Sequence, residues 1–171
     1  MKKVICFIFV FFAFANLFSQ SLTNLESDPS FKGIKLGTPI GKYSDILQYN
    51  NTRQGKNVYI ITDPRYLSIF NIKMARAIVV EDNGRVGSIL LFKDYSSGMF
   101  ETKELKVLLS GLSSRYGSPN VDLTDFTGTP AIAGYRWQTN SVMLDIAFRF
   151  MGTGQPGSGL RYFLYQRNDD Y

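Results

Sequence analysis

Over residues 141–151 the sequence alternates without a break. Val142, Leu144, Ile146, Phe148 and Phe150 are apolar, and Ser141, Met143, Asp145, Ala147 and Arg149 fall between them. A period of two marks a strand with one face on a core and the other turned away from it. This run therefore predicts a sheet whose two faces differ. Residues 134–138 precede it across Thr139-Asn140, and the pair reads as a hairpin in which Trp137 meets Val142 and Tyr135 meets Leu144. A further strand is predicted over 160–166, where Arg161, Phe163 and Tyr165 point opposite to Leu160, Tyr162 and Leu164.

The rest of the chain adds elements around that sheet. Thr38-Pro39 reads as a helix cap followed by proline at the first position, and Ile40, Tyr43, Ile46 and Leu47 follow at helical spacing, predicting a helix over 39–48. A polar loop, 50–55, and a β-branched strand, 57–62, come next. Runs 72–81 and 85–93 flank Asn83-Gly84, a strong hairpin signal because both turn residues tolerate positive φ. That turn predicts Ile78 opposite Ile89 and Ala77 opposite Leu90. A second helix is expected over 100–116, with Leu105, Leu108, Leu109, Leu112 and Tyr116 in one stripe and Gly117 and Pro119 as its stop. Residues 118–130 read as a loop. The expected class is α+β: an antiparallel sheet or sheets, two helices on one face, in the order helix, three strands, helix, three strands.

Lys2-Lys3 precede an apolar run of about a dozen residues, shorter than the roughly 20 a bilayer-spanning helix needs. Ser19 offers a small residue for cleavage. Residues 1–19 are thus expected to be a signal peptide, 20–30 a flexible lead-in, and 31–171 one domain exported to the periplasm or the extracellular space. No transmembrane segment is expected after cleavage. Removing Lys2 and Lys3 lowers the net charge of +5 by two, and the remaining basic residues are scattered singly, so nucleic acid is not an expected partner.

The chain has no histidine, and its single cysteine, Cys6, lies in the leader. Triads built on an imidazole base and histidine zinc sites are excluded, as is a disulfide framework. No cofactor or metal is expected. Gly152-Thr153-Gly154-Gln155-Pro156-Gly157 matches a dinucleotide-binding spacing, but a strand follows where a helix is required. The stretch reads instead as a loop, with Gly154, Gln155 and Gly157 as candidate contacts. Asp122 with Asp125 and Glu101 with Glu104 are spaced three apart; a helix start and a loop account for them. Arg136, Gln138, Met143, Asp145 and Arg149 share the face opposite the core and form the candidate binding face. Arg136 and Asp145 would pair diagonally across it.

Two stretches carry a family likeness: Phe31-Lys32-Gly33-Ile34-Lys35-Leu36-Gly37 and Leu112-Ser113-Ser114-Arg115-Tyr116-Gly117-Ser118-Pro119, the second followed by a Trp-bearing strand. The pattern resembles uncharacterised small exported bacterial domains. Their layout is similar to that of the β-lactamase-inhibitor protein and the outer-membrane assembly lipoprotein group. The resemblance implies a helix-then-meander fold and a non-enzymatic habit, and it assigns no functional residue. The expected function is a non-catalytic binding module for another envelope protein or a wall polymer. The alternatives are an inhibitor or immunity-type protein and a carboxylate-based wall-polymer hydrolase.

Overall fold

A computed structural model describes residues 22–95, 102–128, 130–151 and 158–167. The expected leader, 1–19, lies outside the described residues. The architecture is mostly β. Its centre is one eight-stranded antiparallel sheet in the order β3-β4-β7-β8-β12-β11-β10-β9. The strands are β3 (Leu47–Arg53), β4 (Lys56–Ile61), β7 (Arg76–Asp82), β8 (Arg85–Asp94), β9 (Val121–Asp122), β10 (Ala131–Gln138), β11 (Val142–Phe150) and β12 (Gly159–Gln166). Two small hairpins stand apart: β1 (Ser30–Phe31) with β2 (Ile34–Lys35), and β5 (Ser68–Ile69) with β6 (Ile72–Lys73). Two four-stranded runs thus meet where β8 pairs with β12.

This corrects the two-helix α+β layout. The one long helix among the described residues is α2 (Thr102–Tyr116); residues 22–27 form only a short turn of helix, α1. Where a helix was expected over 39–48, a 3₁₀ turn spans Ile40–Tyr43 and β3 begins at Leu47. The physical reason is that a 3₁₀ turn has three residues per turn, so it satisfies the same 40, 43, 46 spacing in fewer residues. Tyr43 and Ile46 are buried by it, and the Tyr43 hydroxyl accepts from the Lys35 amide at 3.0 Å and donates to the Gly33 carbonyl at 3.1 Å. The expected loop 50–55 is then the outer part of a hairpin turned by Gln54-Gly55, both at positive φ. Phe70-Asn71 and Lys32-Gly33 turn their hairpins in the same way as Asn83-Gly84.

Two registers also differ from expectation. In β7–β8 the predicted offset holds at the turn, Asp82 opposite Arg85, but a bulge between Val80 and Glu81 moves Ile78 to Leu90 and Ala77 to Leu91. Gly87 sits at this bulge, where a Cβ would lie 2.8 Å from that of Asp82. In β10–β11 the turn is longer by two residues, so Trp137 meets Leu144 and Tyr135 meets Ile146. A slip of two leaves every side chain on its predicted face.

One face of the sheet is covered. Leu105, Leu108, Leu112 and Tyr116 of α2 pack on it with Leu25 of α1, Phe31, Ile34, Tyr43, Ile46, Ile69 and Ile72. Residues 22–27, read from sequence as lead-in, are therefore part of the core: Leu25 is fully buried, and Glu26 accepts from the Ser141 amide and hydroxyl. Phe70, at φ 47°, lays its ring where a Cβ on Gly111 of α2 would stand. Trp137, fully buried, donates its Nε1–H to the Gly117 carbonyl at 2.6 Å, tying the end of α2 to β10. Gly117 itself is at φ 77°, the left-handed helix stop. Among the described residues no helix is long and apolar enough to cross a membrane.

Candidate functional site

The register places a second set of side chains on the uncovered face. One transverse row is Ile60, Ile78, Leu90, Phe163, Asp145 and Arg136, taken from β4 to β10. The next row is Val58, Val80, Ser88, Tyr165, Met143 and Gln138. Most of these are half-buried by their neighbours in the sheet, while Ile60 is exposed. The face is thus an apolar band on β4, β7, β8 and β12 that grades into polar groups on β11 and β10.

At the end of the face nearest the Asn83-Gly84 and Thr139-Asn140 turns lies a cavity of about 560 Å³. Its lining includes Lys56, Val80, Asp82, Arg136, Gln138, Met143, Phe163 and Tyr165. Lys56 and Arg136 belong to strands five places apart, which a flat sheet would separate by about 24 Å. That both line one cavity means the sheet curves with its open face concave, as expected of a sheet that twists and carries bulges in β7–β8 and β3–β4. The volume falls in the range of small-ligand sites.

Charge in this cavity is held in fixed geometry. Arg136 donates from Nε and Nη2 to the two Asp145 carboxylate oxygens at 2.7 and 2.9 Å, a bidentate pair across directly opposed residues rather than the expected diagonal. Its Nη2 also donates to the Tyr165 hydroxyl at 2.8 Å, which in turn donates to Asp145 at 3.1 Å. The bond to Asp145 raises the Arg136 pKa, and burial, with the Asp145 charge, pushes the Tyr165 phenol up to about 12. Arg136 therefore stays a cation and Tyr165 a neutral phenol throughout the ordinary pH range. Phe163 stacks on Tyr165 with centroids 4.1 Å apart. Lys56 and Asp82 pair at 3.1 Å on the facing wall.

Of the residues singled out by sequence, Arg136, Gln138 and Met143 line the cavity and Asp145 anchors Arg136. Arg149 does not join them: it is exposed at the far end of β11, opposite Ile132 and Gly159. Gly154, Gln155 and Gly157 lie outside the described residues. Lys56, Asp82, Phe163 and Tyr165 were not singled out as binding residues. Strand parity carried the signal for Phe163 and Tyr165, whereas the contribution of β4 depends on sheet order and curvature. Asp122 and Asp125 each close a local turn, accepting from the Thr124 and Thr127 amides at 2.8 Å; the Thr124 and Thr127 side chains first, and these amides second, lower both pKa values. Glu104 pairs with Lys93, so it belongs to the α2–β8 contact. Among the described residues no group of three or more acidic side chains is placed to hold a metal ion.

No family model, curated protein or solved structure matches the chain.

Proposed function

We propose that the protein is a non-catalytic binding module, exported to the periplasm or beyond, that holds an envelope protein or a wall polymer through its open sheet face. The observation that carries this reading is the asymmetry of the sheet. The short helix, the hairpins and α2 bury the core of one face, and the other keeps a concave apolar band beside fixed polar groups. A half-exposed apolar surface with a polar rim is the composition of a recognition surface, and exposing it costs solubility unless something uses it. The export assignment rests on the charged and then apolar pattern of residues 1–19.

The test compares the two sides of the molecule. A photo-crosslinking side chain placed at Met143 is expected to form discrete adducts in envelope extract, whereas one at Lys106, exposed on α2, is expected to form none. Adducts only at Lys106 would move the binding surface to the helix side.

A further inference from the structure

The end of the open face away from the cavity carries a second feature. Arg76 on β7, Phe92 on β8 and Arg161 on β12 stand directly opposite one another in register. Both guanidinium carbons lie over the Phe92 ring, at 5.1 Å from Arg76 and 5.0 Å from Arg161. Arg149 of β11 is one step along, diagonal to Arg161 and opposite Gly159. Asp94 is the carboxylate that pairs with this group, at 3.3 Å from Arg76 and 2.9 Å from Arg161. Two guanidiniums thus share one carboxylate, and a third, that of Arg149, stands across Gly159 from it.

Arg161 is fixed in place. Its Nη1 donates to the Leu160 and Lys93 carbonyls at 3.1 and 3.4 Å, and it lies across Gly159, where a Cβ would come within 3.0 Å of it and 2.1 Å of the Lys93 carbonyl oxygen. Burial lowers its pKa, and the charges of Arg149 and Arg76 lower it further against the pull of Asp94. A like-charged cluster held this close is relieved by an anion, and planar guanidiniums match the oxygens of phosphate. Arg149 and Arg76 are exposed, so their donors are accessible from solvent.

Two residues along each strand from this row the face turns apolar: Ile78 follows Arg76, Leu90 precedes Phe92, and Phe163 follows Arg161. We propose that the arginine row binds the phosphate group of an amphiphile whose hydrocarbon part lies along Ile78, Leu90 and Phe163. The charge complementarity selects the head and the contiguous apolar band selects the tail. At about 4.8 Å between neighbouring strands, the row from Ile78 through Leu90 to Phe163 runs roughly 10 Å across the face, enough for a short alkyl chain. This inference rests on the open face being a binding surface and adds the chemical class of one ligand.

Octyl phosphate, below its micellar range, and inorganic phosphate are the probes, titrated against the folded protein by calorimetry and by the arginine side-chain NMR signals. The expected result is saturable binding of octyl phosphate at least about tenfold tighter than inorganic phosphate, reflecting the buried methylenes. Arg149→Ala and Arg76→Ala, both at exposed positions, should each weaken octyl phosphate about tenfold or more, whereas Arg53→Ala on the outer strand should not. Equal affinity for the two probes, no saturable binding, or affinity indifferent to Arg149→Ala overturns the proposal. Crosslinking at Met143 persisting alongside any of these failures would sink this inference and leave the binding-module reading standing; loss of both would sink the two together.

Discussion

The two faces of the eight-stranded sheet are built from the same strands with alternate residues, yet they differ in kind. On the covered face Trp137, Leu144, Ile146, Phe148, Ile89 and Leu91 are essentially inaccessible and close-packed under α2 and the N-terminal segment. On the open face their immediate neighbours Arg136, Met143, Asp145, Ala147, Leu90 and Phe92 are all only partly buried. One side is organised for stability and the other for contact, and the pleat keeps the two separate residue by residue.

The sharpest way to test that division is to remove material from the covered face. Trp137→Ala leaves a large cavity and strands the Gly117 carbonyl, so it should cost about 3–5 kcal/mol in denaturant unfolding. A smaller effect is expected from Arg136→Ala. Asp145, only 15% exposed at its side chain, would keep the Tyr165 hydroxyl but lose its bidentate partner, costing about 1–2 kcal/mol. If Arg136→Ala proved as damaging as Trp137→Ala, the open face would be part of the structural core.

The smallest effect is that of pH. The Glu26 carboxyl is held below its usual range by the Ser141 hydroxyl, Asp63 by Arg65, and Asp122 and Asp125 by the Thr124 and Thr127 side chains. A lowered folded pKa gives stability that is present above the unfolded carboxylate value and is lost as pH falls through the folded one. With no imidazole to titrate, the melting temperature should stay flat between about pH 6 and pH 8 and decline gently below about pH 4. A step near pH 6.5 would contradict this reading.

The face assignment was legible from sequence because parity survives a register slip of two, as in β10–β11, where Trp137 and Leu144 still meet on the core side. The stripe and stop of α2 were legible too, from Leu105 to Gly117. β3 was not. Its residues, Leu-Gln-Tyr-Asn-Asn-Thr-Arg, alternate weakly, and what makes them a strand is pairing with β4. The preceding 3₁₀ turn imitated a helix through its spacing of three. The β7–β8 bulge left a readable mark, a glycine at position 87 inside a strand, with Val86 and Ile89 three apart on the same core side. The arginine row could not be read at all, because Arg76, Arg149 and Arg161 become neighbours only once β12 inserts between β11 and β8.

The most direct measurement exploits a chain with one cysteine. In a Cys6→Ser background, Met143→Cys and Leu144→Cys place single thiols on adjacent residues of one strand. The thiol at 143 should react with an alkylating reagent in the native state, and the thiol at 144 only as fast as the protein opens. Comparable native-state rates at the two positions would contradict the division of the sheet into a buried face and an open one.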